Sequence, residues 1–250
     1  MRWRGRVYSY IRSEIDRGAK LHFSLIDPEK VSDIGELHKI LKMVIDAGTD
    51  ALLIGGSLQV FSEDVTSIVK LVDDYNKPSI LFPGSIAGLS PYADAILFIS
   101  LLNSDDPYFI VGAQVYAAPL VKRFKLEVLP TGYIIVSDWP SSVSIMGRAR
   151  PIPLKKPEIG AAYALAARYM GMRFVYLEAG SGAPNAIPPS FVKVVKSCID
   201  DTILIVGGGI RDSEVARDLT KAGADIIVTG TIIEENVDKA LNIIRSIKRF

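Results

Sequence analysis

The chain of 250 residues is 49% apolar and 23% charged, and its formal net charge is +1. This length and composition fit one (β/α)8 barrel or two small domains. The near-neutral charge, without Lys and Arg clustered among aromatic residues, excludes nucleic acid from the expected partners. Cys198 is the single cysteine, so an internal disulfide is excluded and a reducing compartment is expected.

The sequence has no segment suited to crossing a membrane. Residues 1–18 lack the apolar core of a secretory signal. The longest apolar stretch, residues 109–121, contains Gln114 and Pro119 and is shorter than the roughly 20 residues that a membrane-spanning helix needs. We therefore expect a cytoplasmic protein without a membrane span.

Residues 2–17 are predicted to form an amphipathic helix, because apolar residues recur in them at intervals of four. These residues are Trp3, Val7, Ile11 and Ile15. Apolar stripes usually face a protein core, so we expect this helix to cover the floor of the barrel. Transient contact of the helix with a membrane surface is the alternative.

Eight apolar segments, most of them followed by a segment with helical periodicity, recur along the chain. The predicted strands are residues 21–27, 51–56, 79–83, 95–100, 126–136, 174–178, 203–206 and 226–228. This alternation predicts an α/β fold, a (β/α)8 TIM barrel that takes up residues 1–250 as a single domain. A doubly wound open sheet is the alternative, but neither G-x-G-x-x-G nor G-x-x-x-x-G-K-[ST] occurs to support it.

Three parts of the predicted barrel are irregular. Residues 84–94, between the third and fourth strands, are too few for a crossover helix, so a loop replaces the third barrel helix. The fifth strand is expected to be interrupted at Pro130 and Gly132. Residues 137–157 form a long insertion, which is typical of a lid or a binding loop.

Glycine-rich turns follow the sixth, seventh and eighth predicted strands, where barrels commonly bind phosphate. Glycine lets backbone N–H groups approach an anion, and helix N-termini favour negative charge. Thr229 would add a hydroxyl group. The residues of this predicted phosphate site are Gly180, Gly182, Gly207, Gly208, Thr229 and Gly230.

Two carboxylates stand at the ends of predicted strands. Glu178 ends the buried sixth strand beside a Gly-Ser-Gly turn and is interpreted as a reactive group, with an ion pair to an Arg as the alternative. Asp27 ends the first strand and would hold Mg²⁺ together with substrate phosphates, with capping of its own turn as the alternative. No Lys or Cys stands at a strand end, which argues against Schiff-base and thiol chemistry and leaves carboxylate or metal chemistry.

Six short segments in the same order resemble geranylgeranylglyceryl phosphate synthases, and the resemblance extends over about residues 21–235. The segments are SLIDPEK at 24–30, GGS at 55–57, LFPG at 81–84, SLLNS at 100–104, YLEAGSGA at 176–183 and IVGGGIR at 205–211.

The resemblance implies a modified barrel that uses Mg²⁺ to transfer a geranylgeranyl group from its diphosphate to the C3 hydroxyl of sn-glycerol 1-phosphate. In the family, this is the first ether-bond step of archaeal membrane phospholipid biosynthesis. The bacterial branch, with a heptaprenyl donor, has Lys where this chain has Leu25, so the resemblance favours the archaeal branch.

The resemblance also implies roles for particular residues. Asp27 and Ser57 would bind Mg²⁺. The residues that would bind sn-glycerol 1-phosphate are Tyr176, Leu177, Glu178, Ala179, Gly180, Ser181, Gly182, Gly207, Gly208, Thr229 and Gly230. We also expect a homo-oligomer.

For the catalytic step, Glu178 is the nearest base to the acceptor hydroxyl. Tyr176 lies two residues earlier on the same face of the strand and would orient the acceptor or stabilise positive charge on the allylic carbon. Two other functions would use the same phosphate site. One is an isomerase or lyase of a small phosphorylated sugar, and the other is a phosphate-binding barrel without activity.

A prenyl donor also needs an apolar trough, because its tail carries a large apolar surface. The loop that replaces the third helix leaves a gap beside a helix that bears Tyr108, Phe109, Val111 and Val115. We expect the tail to leave the barrel mouth through this gap. The alternatives are that the helix fills the gap as core, or that the tail lies along the loop with Trp139.

Overall fold

The computed structural model of the protein describes residues 3–56 and 60–248. Eight parallel strands in these ranges close into a barrel in sequence order, with the last strand paired to the first. The strands are β1 (Leu21–Ile26), β2 (Ala51–Ile54), β3 (Ser79–Leu81), β4 (Ala95–Leu101), β5 (Glu127–Ile135), β6 (Phe174–Glu178), β7 (Ile203–Gly207) and β8 (Ile226–Thr229). The predicted (β/α)8 fold is therefore confirmed.

Helices surround the barrel wherever a connection is long enough. They are α1 (Val7–Asp16), α2 (Ile34–Asp46), α3 (Ser62–Asp73), α4 (Ala113–Phe124), α5 (Ser142–Met146), α6 (Pro157–Tyr169), α7 (Pro189–Lys196), α8 (Ser213–Lys221), α9 (Thr231–Glu235) and α10 (Val237–Ile247). Between β3 and β4 there is a single 3-10 turn, Ile86–Gly88, so a loop replaces the third barrel helix as predicted. Within residues 3–56 and 60–248, no helix has the length and apolar character to cross a membrane.

Two apolar cores follow from the alternation of side chains along each strand. One fills the barrel interior and contains Leu21 and Phe23. The other lies between the strands and the helices and contains Leu52 and Ile54. Because both faces of the strands are buried, the charged residues of a site are restricted to the strand ends.

Helix α1 covers the floor of the barrel, as predicted. Val7 and Ile11 are fully buried against the interior core. The Glu127 carboxylate, at the start of β5, accepts from the backbone N–H groups of Val7 (2.7 Å) and Tyr8 (2.9 Å). This carboxylate replaces a side-chain cap, which Arg6 does not supply, and the helix begins at Val7, later than predicted.

Strand β5 is continuous, so the predicted interruption at Pro130 and Gly132 is wrong. The Pro130 carbonyl accepts from the Arg173 N–H at 3.1 Å, just before β6 begins. Proline has no N–H group to donate. At this position of β5 an N–H group would face the residues before β6, where there is no strand partner, so no ladder hydrogen bond is lost. At Gly132 a Cβ atom would come within 2.7 Å of the Ala167 Cβ on α6, so glycine here permits close helix packing rather than a break.

A buried histidine joins β1, β8 and the loop before β2. Nδ1 of His22 lies 2.9 Å from the Thr49 hydroxyl, and Nε2 lies 2.9 Å from the Thr229 hydroxyl. Burial, reinforced by the nearby Lys248 ammonium, lowers the pKa of His22 to about 3. The imidazole is therefore neutral in the folded protein at neutral pH.

The lowered pKa of His22 makes the stability of the protein depend on pH. An unfolded histidine binds a proton below about pH 6.5, whereas folded His22 does not. The contribution of His22 to the free energy of unfolding is therefore complete above that pH and is lost progressively as the pH falls from about 6.5 towards 3. Denaturant unfolding at several pH values would measure this loss.

In that experiment His22→Gln should flatten the pH dependence relative to the wild type. Equal slopes for the wild type and His22→Gln would contradict a neutral buried imidazole.

Candidate active site

A cavity opens at the carboxyl ends of the strands, on the side of the barrel opposite α1. Eight of the predicted site residues line this cavity: Asp27, Tyr176, Glu178, Ser181, Gly182, Gly208, Thr229 and Gly230. Their convergence from four different strand ends matches the location that the sequence predicted.

The other predicted residues have different positions. Leu177 and Ala179 point into the core between the strands and the helices. Gly180 and Gly207 are in contact with Glu178 and Tyr176 respectively, rather than on the cavity surface. Ser57 lies outside the described residues.

Glu178 ends β6 and is only 6% exposed. Its Oε1 atom accepts from the Gly180 N–H at 2.6 Å. Burial raises the pKa of Glu178, and hydrogen bonds from the Gly180 N–H and from the Tyr176 and Tyr133 hydroxyls oppose that rise. Among the described residues, no Lys or Arg forms an ion pair with this carboxylate, so the predicted alternative of an arginine ion pair is wrong. Glu178 is therefore a buried carboxylate that can accept a proton.

Three aromatic rings meet beside this carboxylate. Tyr176 stacks on Phe82 with ring centroids 5.4 Å apart, and Tyr133 meets the rings of Tyr176 (5.1 Å) and Phe82 (5.6 Å) edge-on. Burial raises the pKa of both tyrosines well above the ordinary value, so their hydroxyls stay protonated and donate to Glu178. Tyr133 was not predicted. The sequence pattern that could have indicated it is the two-residue alternation of side chains along β5. The β5–β6 register pairs Tyr133 with Tyr176.

The turns after β6 and β7 contain glycines at positive φ, among them Gly180 and Gly182. At Gly208 φ is +84°, and a Cβ atom there would lie 2.5 Å from Glu178 Oε1 and 2.8 Å from the Gly180 nitrogen. Both the backbone conformation and the contact between the two turns therefore require glycine at this position. The turns form one concave surface, the glycine cup, where backbone N–H groups can approach an anion.

Thr229 borders the cavity, and its hydroxyl lies 2.9 Å from Nε2 of His22. Ser181 and Thr231 also line the cavity, and their hydroxyl oxygens are 3.3 Å apart. Thr231 was not predicted as a site residue. It is the first residue of α9, and Gly230 before it supplies no side-chain cap. The backbone N–H groups of the first turn of α9 therefore need another acceptor.

Asp27 lines the cavity beside β2. Its Oδ1 atom accepts from the Glu29 N–H at 3.2 Å, so the predicted capping role is confirmed. Burial raises the pKa of Asp27. Gly56 leaves room for this carboxylate, because a Cβ atom at Gly56 would collide with Oδ1.

The donor set around Asp27 fits a magnesium ion that takes most of its ligands from substrate. Within the described residues, no three His, Cys, Asp or Glu side chains converge on one point. One carboxylate completed by phosphate oxygens and water is the usual way in which proteins hold Mg²⁺.

Two basic side chains that were not predicted also line the cavity. Lys30 Nζ lies 2.6 Å from Glu234 Oε2, and Arg211 Nη1 lies 2.7 Å from Glu235 Oε2. Both residues stand a few positions beyond their strands, in turns that fold back over the barrel mouth. A search confined to strand ends therefore does not find them.

A second, mainly apolar cavity lies in the gap that the missing third helix leaves. Its walls include Ala113 and Ala117 of α4, and Val143 and Met146 of α5. The alternative that the helix fills this gap is therefore wrong. Trp139 borders neither cavity, whereas α5, within the predicted binding loop, borders this one.

The two cavities adjoin one another. The residues that line both are Pro83, Gly84, Ile99, Tyr133 and Val143. The glycine cup and Glu178 on one side thus continue into an apolar trough on the other. Such a surface suits a ligand pair that has phosphate groups at the barrel mouth and a hydrocarbon chain in the gap.

The PcrB family matches residues 13–248 of this chain. The geranylgeranylglyceryl phosphate synthase of Saccharolobus solfataricus is 52% identical to it, and that of Sulfolobus acidocaldarius is 50% identical. Each match covers 99% of this chain and 96% of the relative. The crystal structure of (S)-3-O-geranylgeranylglyceryl phosphate synthase from Thermoplasma acidophilum, in complex with its substrate sn-glycerol-1-phosphate, has a TM-score of 0.92 at 39% identity, covering 98% of this chain and 99% of that chain. The chain therefore belongs to the PcrB family, as a relative of the archaeal geranylgeranylglyceryl phosphate synthases.

Proposed function

We propose that the protein is a Mg²⁺-dependent prenyltransferase that moves a geranylgeranyl group from geranylgeranyl diphosphate to the C3 hydroxyl of sn-glycerol 1-phosphate. The observation that carries the proposal is the junction of the two cavities, where a phosphate cup and a buried carboxylate meet an apolar trough. The relatives named above bear this activity in their names, and the Thermoplasma enzyme binds sn-glycerol-1-phosphate as a substrate.

On the acceptor side, the glycine cup would hold the phosphate of sn-glycerol 1-phosphate through backbone N–H groups. Glu178 would then take the proton of the C3 hydroxyl as the new bond to the allylic carbon forms. The raised pKa of Glu178 suits this task, because burial makes the carboxylate a stronger base. The hydroxyls of Tyr133 and Tyr176 hold the carboxylate in position.

On the donor side, the bond between the allylic carbon and the diphosphate breaks, and the diphosphate leaves with the electron pair. Asp27 would hold Mg²⁺, which when bound neutralises the charge that develops on the diphosphate oxygens. The rings of Phe82, Tyr133 and Tyr176 border the cavity, and their faces can stabilise positive charge on the allylic carbon. The apolar trough would take the hydrocarbon tail.

The decisive experiment is incubation of the protein with labelled sn-glycerol 1-phosphate, Mg²⁺ and a set of prenyl diphosphates, followed by extraction into organic solvent. The proposal expects label in the organic phase with geranylgeranyl diphosphate and none without a prenyl donor. An isomerase or lyase of a phosphorylated sugar would instead turn over its substrate without any prenyl diphosphate.

Three further properties stay predictions: a single domain over residues 1–250, a cytoplasmic location and a homo-oligomer. The oligomer is supported by Val115 and Tyr116 on α4, which are 63% and 68% exposed. Exposed apolar side chains of this size, side by side on one helix, are typical of surfaces that a partner covers.

The role of Glu178 as base can be tested with Glu178→Gln, which keeps the size of the side chain and removes its negative charge. Turnover should fall by about two to four powers of ten, the usual contribution of a general base, while sn-glycerol 1-phosphate still binds. In the wild type, the rate should also fall as the pH drops through the raised pKa of Glu178, because only the deprotonated carboxylate accepts the proton. Near-normal turnover in the variant would refute the assignment.

The division into two anion sites predicts different effects for two substitutions. Asp27→Asn should raise the Mg²⁺ concentration needed for half-maximal rate and weaken binding of the prenyl diphosphate. Gly208→Ala should raise the KM for sn-glycerol 1-phosphate, because a side chain would block the approach of the phosphate to backbone N–H groups, and it should also lower kcat, because the new methyl group would collide with Glu178. Steady-state kinetics with each substrate varied in turn would measure both. If both substitutions weakened binding of the same substrate equally, the assignment of two separate anion sites would be incorrect.

The apolar trough predicts a change in chain-length preference. Trp at Ala113 or Ala117 should shift preference towards shorter prenyl diphosphates, because both residues line the trough, and should leave the KM for sn-glycerol 1-phosphate unchanged. Trp at Gly112, which does not border either cavity, should have no such effect. Ala118→Trp, on the exposed face of α4, is a matched control. An unchanged preference in both trough variants would place the tail elsewhere.

A further inference from the structure

Lys30 occupies a position in the cavity that the mechanism above does not use. It is the last residue of the 3-10 turn that begins directly after Asp27. Its ammonium group is 2.6 Å from the Glu234 carboxylate, and both side chains border the cavity. The two side chains are 42% and 30% exposed, so the pair is in contact with solvent and can open without burying an unpaired charge.

Charge favours an anionic ligand for this lysine. Asp27 and Glu234 both place negative charge on this side of the cavity. Lys30 and Arg211 are the basic residues among the described residues that line the cavity. A diphosphate brought next to two carboxylates needs positive charge on the protein, and an ammonium group is a common ligand of phosphate oxygens.

Position separates the two basic residues. Lys30 follows β1 and adjoins Asp27, whereas Arg211 follows the glycines after β7, beside Gly208 of the glycine cup. Each is held by a different glutamate of α9, Glu234 or Glu235. Lys30 is therefore on the donor side of the cavity and Arg211 on the acceptor side.

We propose that Lys30 binds the diphosphate of the prenyl donor, and that Glu234 holds the Lys30 ammonium until the diphosphate replaces it. The inference rests on the proposed function, and it adds a binding residue and a competing carboxylate to the donor site. In this scheme Glu234 opposes donor binding, since the ion pair must open before the ammonium reaches a phosphate oxygen.

The test is a pair of substitutions with effects of opposite sign. Lys30→Met keeps the aliphatic stem and should raise the KM for the prenyl diphosphate by about tenfold to a hundredfold, the contribution of a hydrogen bond to a charged group. Glu234→Gln frees the ammonium and should lower that KM by about two- to fivefold, the contribution of a solvent-exposed ion pair. The KM for sn-glycerol 1-phosphate should stay unchanged in both. Lys30→Arg, which keeps the charge, should recover most of the donor affinity.

Inorganic pyrophosphate gives a readout that does not depend on turnover. Calorimetric titration of the wild-type protein and each variant with pyrophosphate, in the absence of Mg²⁺, should reproduce the same order of affinities. Lys42→Met is a matched control, because Lys42 forms an exposed pair with Asp46 (2.7 Å) on α2, and both KM values should be unaffected. Arg211→Met should raise the KM for sn-glycerol 1-phosphate and leave that for the donor unchanged.

Two results would overturn the inference. One is an unchanged donor KM and pyrophosphate affinity in Lys30→Met. The other is a raised donor KM or a raised Mg²⁺ requirement in Glu234→Gln, which would make Glu234 a donor-site ligand rather than a competitor. Wild-type turnover of the prenyl donor is measured first, so failure of the proposed function is seen before these variants are compared.

Discussion

The burial of one carboxylate at the rim of a closed parallel barrel governs the arrangement of the site. Glu178 loses most of its hydration at the end of β6, and the Gly180 N–H and two tyrosine hydroxyls replace only part of it. The neighbouring turn must therefore come close, which is why Gly208 cannot carry a side chain. The same close approach brings the backbone N–H groups of two turns into one concave surface. A base and an anion site thus result from a single packing constraint.

The missing third helix has the second large consequence. A complete ring of helices would cover β4 with apolar side chains and leave no room beside the barrel mouth. Here a single 3-10 turn spans that connection, and α4 and α5 border an apolar trough instead. Because Tyr133 borders both the trough and the polar cavity, an apolar chain and a phosphate can lie on either side of the same group of rings. The fold therefore provides for the two chemically unlike substrates of a prenyl transfer.

Local pattern in the sequence was sufficient for the eight strands, the missing helix and the positions of Glu178 and Asp27. Each of these depends on residues close together in the chain: an apolar run of strand length, a connection too short for a helix, a charged residue at the end of a buried strand. The positive φ of Gly180 and Gly182 follows from the same local signal. The resemblance of six segments to the synthase family indicated the activity, which periodicity and spacing could not specify.

Only the tertiary structure decided which side chains meet. Tyr133 contacts Tyr176 because β5 and β6 pair in that register, and Thr229 turns its hydroxyl to His22 because β8 closes against β1. Lys30 reaches Glu234 although 204 positions separate them in the chain. Pro130 is tolerated in a continuous strand because the pairing of β5 with β6 begins only at Thr131, one residue after the proline. These contacts join residues far apart in sequence, and barrel closure and strand register fix them, whereas the periodicity of a single segment carries no information about its partner.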